Sequence, residues 1–448
     1  MRLTILGGGG FRVPLVHAAL LEPGSPITEL VLHDVDAGRL AAIGRVLAAQ
    51  AAAAGHGPVR IATTDLTEAL TGADFVFSAI RVHGLPGRVI DEQVALAAGV
   101  LGQETTGAGG VSYGLRTVPV ADAIARRIAL VAPQAWVINF TNPAGLVTEA
   151  MAARLGDRVI GICDSPSSLG RRVVRALGLP PGSASLGYAG LNHLGWLSSV
   201  ISDGVDVLPR LFDSPSAPGL PGSSGSPASL TSFEEGRLFG ADRLRSLRAV
   251  PNEYLHYYYD TAATVRASSA AVETRGEFLL RQQEACYQAI VAGDPLASWT
   301  AALRERDATY MSLEGLGDRD DAEGGGYEQV ALDLMRALAA DVPSSLILNV
   351  RNRGTLDILD DAAVVEVPCT VTGNGPVPVP GSSVPAHGVE LVRRVKATER
   401  AVLEAAASGS RAVAVRAMAS HPLIDSVPLA RRLIDDYCSR FPELSYLR

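Results

Sequence analysis

The sequence predicts an α/β protein whose first half is a doubly wound, Rossmann-type parallel sheet, followed by a mixed α+β region. Three observations predict it. Short apolar runs alternate with stretches long enough for helices, four consecutive glycines follow the first run, and an acidic residue ends the second run. In such a sheet, ligands bind at the carboxyl ends of the strands. We therefore expect the chemistry of this protein at one edge of the sheet.

Composition narrows the class of protein. Apolar residues make up 47% of the 448 positions and charged residues 19%, proportions that are typical of a soluble enzyme. The net charge of −8 argues against nucleic acid or an anionic membrane as a partner, and no apolar run approaches the roughly 20 residues of a membrane helix. The 4 cysteines are far apart and lack C-x-x-C spacing, which indicates free thiols and a cytoplasmic location.

The chain opens with a strand, a glycine turn, a helix and a second strand. Glycines in the turn at residues 7–10, directly after the strand at 2–6, let backbone N–H groups approach a pyrophosphate at a helix N-terminus. The second strand, residues 29–33, ends at Asp34, where a carboxylate would bind an adenosine ribose and repel a 2′-phosphate. This favours NAD over NADP, although Arg12 stands where G-x-G-x-x-G has its third glycine. The residues predicted to bind NAD are Gly7, Gly8, Gly9, Gly10 and Asp34.

The alternation of strands and helices continues through the first half. A helix is predicted at residues 37–54, and further buried strands at 74–79 and 135–140. Because 448 residues exceed one ordinary core, we predict two domains. They are an NAD-binding Rossmann-type domain at residues 1–190 and an α+β domain at residues 191–448 that carries the substrate, metal and oligomer contacts.

Reactive side chains end two of the predicted strands. The strand at residues 159–162 stops at Cys163 and Asp164, and a later strand-like run leads into His193. A thiol, a carboxylate and an imidazole brought to one sheet edge suggest a metal or proton-transfer site. Taken alone, Cys163 fits a small buried apolar side chain as well.

The second half mixes helices and strands. A Pro/Gly/Ser-rich stretch at residues 215–229 predicts an exposed insertion, and the glycines at 324–326 predict a loop. Strands at 345–349 and 364–371 are expected to pair as a small antiparallel element. Helices are predicted at residues 252–266, 276–292, 389–407 and 428–438.

Taken in order, these motifs resemble those of glycoside hydrolase family 4, the NAD- and metal-dependent glycosidases, in its 6-phospho-glycosidase branch. The resemblance covers nearly the whole chain. It is carried by the glycine turn with Asp34 and by motifs at residues 102–105, 115–117, 141–143, 163–166, 190–193, 254–258, 349–352, 366–369 and 420–422.

The resemblance implies a role for each candidate site residue. Cys163 and His193 match the two protein ligands of a divalent metal, usually Mn²⁺, and Asp164 matches the proton donor. Tyr254 matches the general base, and Glu104 matches the carboxylate thought to raise the basicity of that tyrosine. The residues that match sugar-phosphate contacts are Arg88, Asn142 and Arg275.

The implied activity is hydrolysis of a phosphorylated disaccharide or glycoside, and the run of motifs predicts a 6-phospho-β-glucosidase. The implied reaction comprises NAD-mediated oxidation at C3, deprotonation at C2, elimination, water addition and re-reduction, unlike the two-carboxylate scheme of most glycosidases. A phenol has an unperturbed pKa of roughly 10, so Tyr254 needs nearby positive charge to act as a base, and the metal would supply it. Family members are usually dimers or tetramers, so a homo-oligomer is also expected.

The sequence departs from the family pattern at several positions. This chain has Gly10, Phe11 and Arg12 where a serine and an aromatic residue are common. It has His83 where glycine is common and His256 where arginine or lysine is common. A family glycosidase acting on an α-linked or non-phosphorylated sugar therefore stays an alternative.

Two other functions fit parts of the sequence. An NAD-dependent 2-hydroxy acid dehydrogenase of the lactate/malate type would share the fold and would accumulate NADH with turnover. A nucleotide-sensing protein would bind the dinucleotide without turnover, but it has no use for Cys163, His193 and Tyr254 together.

Overall fold

The structure, a computed structural model, describes residues 1–213, 229–309 and 326–448. Nearly all of the Pro/Gly/Ser-rich stretch at 215–229 and two of the three glycines at 324–326 lie outside these ranges. The insertion and the loop predicted there therefore stay predictions.

The first half of the chain alternates strands and helices, as predicted. Its elements are β1 (Arg2–Leu6), α1 (Val13–Leu20), β2 (Glu29–His33), α2 (Ala37–Ala54), β3 (Val59–Thr63), α3 (Leu66–Leu70), β4 (Phe75–Ser78), α4 (Gly84–Ala97), α5 (Ala108–Val131), β5 (Trp136–Asn139), α6 (Ala144–Leu155), β6 (Val159–Gly161) and α7 (Ser165–Ala176). The six strands pair in parallel in the order β3–β2–β1–β4–β5–β6. This is the strand order of a dinucleotide-binding fold, which confirms the predicted fold class.

The second half adds antiparallel strands and most of the helices. Its elements are β7 (Ser185–Leu191), β8 (Leu194–Ser202), β9 (Val205–Asp206), α8 (Pro209–Asp213), α9 (Glu234–Phe239), α10 (Ala241–Leu247), β10 (Val250–Pro251), α11 (His256–Tyr259), α12 (Thr261–Ala270), α13 (Arg275–Ala292), α14 (Pro295–Ala308), α15 (Tyr327–Ala340), β11 (Ser344–Arg351), β12 (Val364–Thr372), β13 (Gly375–Pro378), α16 (Val389–Ser408), α17 (Arg411–Ser420) and α18 (Val427–Arg440). None of the helices in the described ranges combines the length and the apolar composition that crossing a bilayer requires.

The strands of both halves belong to one continuous sheet. Within the described ranges, 13 strands join it, and the antiparallel part runs β10–β8–β7–β12–β11 and meets the parallel part at β6. β11 and β12 pair antiparallel as predicted, but they are part of this sheet and not a separate element. The predicted domain boundary at residue 190 lies inside β7, and as a boundary it stays a prediction.

One predicted helix is interrupted. The structure replaces the helix expected at 252–266 by a 3₁₀ turn, Glu253–Leu255, followed by α11 and α12. The side chain of Asn252 accepts a hydrogen bond from the amide of Tyr254 at 3.1 Å, which caps the 3₁₀ turn. Asp260 separates α11 from α12, and its carboxylate pairs with Arg243. These polar contacts break a pattern whose spacing alone favours one helix.

The sheet edge collects the residues that the sequence singled out. The glycine turn follows β1, Asp34 follows β2, and Cys163 and Asp164 follow β6 within two or three residues. The tight turn between β7 and β8 carries His193. Parallel strands end at the same edge, which brings the glycine turn, Asp34, Cys163 and Asp164 together. His193 joins them on the turn of an antiparallel pair, β7 and β8, in the other part of the same sheet.

Candidate active site

A cavity of about 1180 Å³ opens at the carboxyl edge of the parallel strands. This volume exceeds the usual range for a single small ligand, and it suits a dinucleotide together with a sugar. The predicted site residues that line it are Gly7, Gly10, Asp34, Arg88, Glu104, Asn142, Cys163, Asp164, His193, Tyr254 and Arg275. Gly8 and Gly9 lie in the same turn but are not among the described residues that line the cavity.

The glycine turn lies tightly against its neighbours. Gly7 has φ of +85°, and a Cβ there would lie 2.5 Å from the carbonyl oxygen of Ala79. A Cβ on Gly8 would lie 2.8 Å from the Cβ of Leu32, the strand residue next to it. Larger residues would push the turn off the sheet, so the glycines hold the backbone close to β2 and β4.

Asp34 is held at the end of β2 with its carboxylate in the cavity wall. One oxygen accepts the amide of Gly9 at 3.0 Å, and the other accepts the amide of Asp36 at 3.1 Å. Each carboxylate oxygen can accept a further hydrogen bond. The residue therefore fits the adenosine ribose of a dinucleotide.

His193 stands in a strained backbone position, with φ of +62°. Its ring stacks on the ring of Tyr254, with centroids 3.6 Å apart and planes 3° apart, and its Nδ1 lies 3.1 Å from Thr105 Oγ1. Burial lowers the pKa of His193 to about 4, so the imidazole is neutral near pH 7. A neutral imidazole held by one nitrogen is the form that ligates a metal.

Cys163 is 6% exposed and lies within a group of acidic side chains. Burial, and then the carboxylates of Glu366 and Asp164, raise the pKa of its thiol well above the usual range. A divalent cation would offset these carboxylates and favour the thiolate. The described residues contain no cluster of three or more His, Cys, Asp or Glu ligands. The donor set therefore fits a metal that takes its remaining ligands from substrate or water.

The side chain of Asp164 does not cap the helix that follows it. It precedes α7, yet its side chain makes no hydrogen bond to the first amides of that helix. An aspartate at this position commonly accepts a hydrogen bond from one of those amides. Its carboxylate instead lines the cavity beside Cys163.

A buried glutamate that sequence reasoning left without a role supports the turn that carries His193. Glu366 in β12 accepts hydrogen bonds from Asn349 (2.8 Å), Asn192 (3.2 Å) and Tyr188 (3.1 Å). Burial raises the pKa of Glu366 to about 7. The signal in the sequence was an acidic residue inside a run of valines, in a strand otherwise apolar.

Arg88 and Glu104 lie together, and a second arginine joins them. Arg88 pairs with Glu104 at 2.8 Å and with Glu92 at 2.7 Å, while Arg81 pairs with the other oxygen of Glu104 at 2.7 Å. Burial alone would raise the pKa of Glu104, but the two arginines outweigh it and hold that pKa at about 2. Arg81 was not predicted, although it follows β4 at the sheet edge where site residues are expected.

Arg275 is tied to the end of a neighbouring helix. Its guanidinium donates to Thr309 Oγ1 at 2.7 Å and to the carbonyl oxygen of Arg306 at 2.9 Å, at the C-terminus of α14. Arg306 also lines the cavity and was not predicted; nothing in its local sequence marks it. Burial and the charges of Arg12, Arg275 and Arg88 lower the pKa of Arg306 well below its usual range. This part of the cavity is suited to a strongly anionic group.

Arg12, His83 and His256, which depart from the family pattern, each contact different residues. Arg12 lines the cavity and lies 5.1 Å from the centroid of the Tyr327 ring. His83 also lines it and contacts Glu443 at 2.9 Å through Nδ1. His256 contacts Asp260 and is not among the described residues that line the cavity.

Comparison with known proteins gives a consistent result across the chain. The family described as family 4 glycosyl hydrolase matches residues 2–179, and its C-terminal domain matches residues 188–424. The chain is 31% identical over 443 residues to a probable 6-phospho-beta-glucosidase of Bacillus subtilis, covering 97% of this chain and 94% of that protein. It is 30% identical over 440 residues, with the same coverage, to the maltose-6'-phosphate glucosidase of the same organism.

Solved structures resemble the fold over its full length. The 6-phospho-beta glucosidase from Thermotoga maritima with NAD and glucose-6-phosphate has a TM-score of 0.82 and 25% identity, covering 98% of each chain. A 6-phospho-alpha-glucosidase from gut microorganisms in complex with NAD and Mn²⁺ has a TM-score of 0.78 and 25% identity, covering 99% of this chain and 98% of that one. A malate dehydrogenase from Plasmodium falciparum, at 11% identity and a TM-score of 0.50, covers 91% of this chain and 98% of its own and shares the fold alone.

Proposed function

The chain belongs to family 4 of the glycosyl hydrolases, and we propose that it hydrolyses 6-phospho-β-glucosides with bound NAD and a divalent metal, manganese. One observation carries the proposal. One cavity is lined by the glycine turn with Asp34, by Cys163 and His193, by Tyr254, and by several arginines. A lactate- or malate-type dehydrogenase has no need of a thiol beside a stacked imidazole and phenol.

The residues that would hold the two bound groups are separate. The glycine turn and Asp34 would bind NAD, while the Cys163 sulfur and a His193 ring nitrogen would bind the metal. When bound, NAD supplies reversible hydride transfer at C3 of the sugar, and the metal supplies Lewis acidity toward the sugar oxygens.

Tyr254 is proposed to accept the C2 proton. Its ring is fixed by stacking on His193, which places the phenol beside the metal ligands. Asp164 is proposed to donate a proton to the leaving-group oxygen, since its carboxylate is not used by the helix that follows it. Both side chains line the same cavity, so one substrate can reach both.

The arginines are proposed to hold the 6-phosphate. Arg88, Asn142 and Arg275 line the cavity, and charge-assisted hydrogen bonds from guanidinium groups suit a dianionic phosphate. Both oxygens of Glu104 are engaged by Arg81 and Arg88. We therefore propose that Glu104 acts through these arginines, by fixing their position and moderating their charge near Tyr254.

A 6-phospho-α-glucosidase is the second candidate, and two observations favour it. The pair Cys163-Asp164 resembles that of α-acting members of the family. A maltose-6'-phosphate glucosidase is nearly as similar to the chain as the probable β-glucosidase, at 30% against 31% identity. Elimination after oxidation at C3 does not depend on the anomer, so the aglycone side of the cavity would decide the preference.

The test is a panel of nitrophenyl glucosides, α and β, with and without a 6-phosphate, assayed with NAD, Mn²⁺ and a reductant. We expect nitrophenol release from the 6-phospho-β-glucoside while absorbance at the NADH wavelength stays flat, because the cofactor is recycled. Faster release from the α-anomer would favour the second candidate, a 6-phospho-α-glucosidase. Steady NADH accumulation from a 2-hydroxy acid, without glycoside cleavage, would refute both. Assembly as a dimer or tetramer is part of the proposal and is measurable by light scattering.

A further inference from the structure

Three aromatic side chains of the C-terminal half donate hydrogen bonds to residues 9–12, which comprise the end of the glycine turn and the two residues after it. They come from three different helices, α13, α14 and α15, and they bind the carbonyl oxygens of three residues within a four-residue stretch. The bonds run from Tyr287 Oη to Gly9 O (2.6 Å), from Trp299 Nε1 to Phe11 O (2.8 Å) and from Tyr327 Oη to Arg12 O (2.9 Å). We call these three side chains the aromatic clamp.

The clamp binds the carbonyl side of three peptide units. In a trans peptide unit the N–H points opposite to the C=O, so a donor that binds a carbonyl also orients the next amide. The bond from Trp299 to Phe11 O thereby directs the amide of Arg12 away from α14. The amide of Phe11 has no acceptor among the residues that the structure describes, and Phe11, Arg12 and Val13 line the cavity.

These amides lie at the start of α1, where a helix N-terminus favours anions. The flanking peptides are fixed by the turn itself, through Gly10 N to Gly7 O (2.9 Å) and Val13 N to Gly10 O (3.0 Å). The clamp adds hydrogen bonds from distant helices to the carbonyls at 9, 11 and 12, the last of which also accepts the amide of Leu15 at 3.1 Å. Fixed amides lose less freedom when they bind an anion, which strengthens binding.

We infer that Tyr287, Trp299 and Tyr327 are positioning residues for the dinucleotide pyrophosphate. Trp299 orients the amide of Arg12 toward the phosphates through Phe11 O, and the two tyrosines fix the peptides on either side, whose amides, Gly10 N and Val13 N, donate within the turn. The inference rests on the proposed binding of NAD at this turn. It assigns part of the cofactor site to the half of the chain that follows residue 190. The parallel sheet alone would then present an incompletely ordered phosphate turn.

The rings of the clamp are fixed independently of their hydrogen bonds. Tyr327 stacks on Phe140, with centroids 4.0 Å apart and planes 12° apart, and Arg39 lies 4.9 Å from the centroid of Tyr287. Replacing either tyrosine by phenylalanine therefore removes one hydroxyl and leaves the ring packed. This makes a single hydrogen bond the only designed change.

The experiment measures the dissociation constants of NAD and of ADP-ribose by titration calorimetry, without substrate or metal. We expect Tyr287→Phe and Tyr327→Phe each to weaken both ligands about two- to tenfold, the factor that corresponds to one net hydrogen bond. Equal loss for ADP-ribose would show that the effect does not involve the nicotinamide, and an unchanged dissociation constant for adenosine would then place it at the pyrophosphate. Trp299→Phe is a third variant that removes the indole donor.

The matched control is Tyr446→Phe. Tyr446 also donates its hydroxyl to a backbone carbonyl, that of Leu115 at 2.8 Å, but neither residue is among those that line the cavity. This variant should lower Tm by an amount similar to the clamp variants and leave both dissociation constants unchanged.

Two failures are distinguishable. If the unaltered protein binds NAD and the clamp variants bind it equally well while their Tm falls, the clamp is only structural and the inference is overturned. If the unaltered protein binds neither NAD nor ADP-ribose, the proposed function itself fails, whatever the variants do.

Discussion

Two groups of side chains line the cavity, and their charges are opposite. The arginine group consists of cationic side chains, namely Arg81, Arg88, Arg275 and Arg306. The metal-side group, namely Cys163, Asp164, His193 and Tyr254, contains no cationic side chain, because its imidazole is neutral near pH 7. A sugar has a dianionic phosphate at one end and hydroxyl groups at the other. Only one orientation places its phosphate at the arginine group and its hydroxyl groups at the metal-side group. From this comparison we expect the arginine group, at one side of the cavity, to set the orientation of a phosphorylated substrate.

The two groups also differ in how they are held. Ion pairs and helix carbonyls hold the arginine group, as in the contacts of Arg88 with Glu104 and of Arg275 with the end of α14. A strained backbone, ring stacking and a buried carboxylate network hold the metal-side group, at His193, Tyr254 and Glu366. Variants of the metal-side group should therefore affect the chemical step, and variants of the arginine group should affect substrate affinity.

The largest expected effect comes from Tyr254→Phe, which tests whether the metal-side group carries the chemistry. Loss of the phenol removes the proposed base, and kcat should fall about 10²- to 10⁴-fold. NAD affinity, measured by calorimetry, should stay unchanged and serves as the internal control. A kcat within a few-fold of the unaltered enzyme would show that Tyr254 is not the base.

Cys163→Ser should separate metal binding from the rest of the cavity. Serine is a poor ligand compared with thiolate, so Mn²⁺ affinity should fall by about 100-fold or more. Electron paramagnetic resonance of free Mn²⁺ measures this directly. Cys438→Ser removes a partly exposed thiol outside the cavity lining and should titrate normally. An unchanged Mn²⁺ titration of Cys163→Ser would exclude the thiolate as a ligand.

Arg306→Gln tests whether the arginine group binds the phosphate of the substrate. Loss of one charge-assisted contact should raise KM for a 6-phospho-glucoside about 10- to 100-fold, with a smaller change in kcat. KM for a non-phosphorylated glucoside should not rise. Equal effects on both substrates would show that the arginine group does not recognise the phosphate. Arg304→Gln, on the same helix but outside the cavity lining, is the control.

The smallest expected effect is on the pH dependence of stability in the metal-free protein. The folded pKa of His193 is about 4, below the ordinary value of 6.5, so between these values the unfolded chain binds more protons than the folded one. Stability from this residue is therefore present above pH 6.5 and is lost as pH falls toward 4. Tm measured from pH 7 to 4.5 should decline less steeply for His193→Gln than for the unaltered protein. Parallel curves would contradict the burial of a neutral His193.

Local patterns were enough to predict most of the metal-side group. Strand-forming runs end at Cys163 and Asp164 and lead into His193. The parallel topology alone places Cys163 and Asp164 at the carboxyl edge of the sheet, whereas His193 arrives on an antiparallel turn. Spacing could not reveal the break in the helix expected at 252–266, which depends on Arg243 pairing with Asp260. It also could not reveal that the antiparallel strands would extend the parallel sheet, because β11 meets β6 through Asn349 and Gly161.

The sequence by itself determined the fold class, the glycine turn with Asp34, and the residue types of the site, because strand period, turn chemistry and motif order are properties of neighbouring residues. Only the tertiary structure decided what surrounds them. Tyr287 binds Gly9 across 278 residues of chain, and Tyr327 binds Arg12 across 315. Such partners depend on how whole helices pack, and packing leaves no periodic trace in the local sequence. The same reason explains why Glu366 and Arg306 gained their places in the site only from the folded chain.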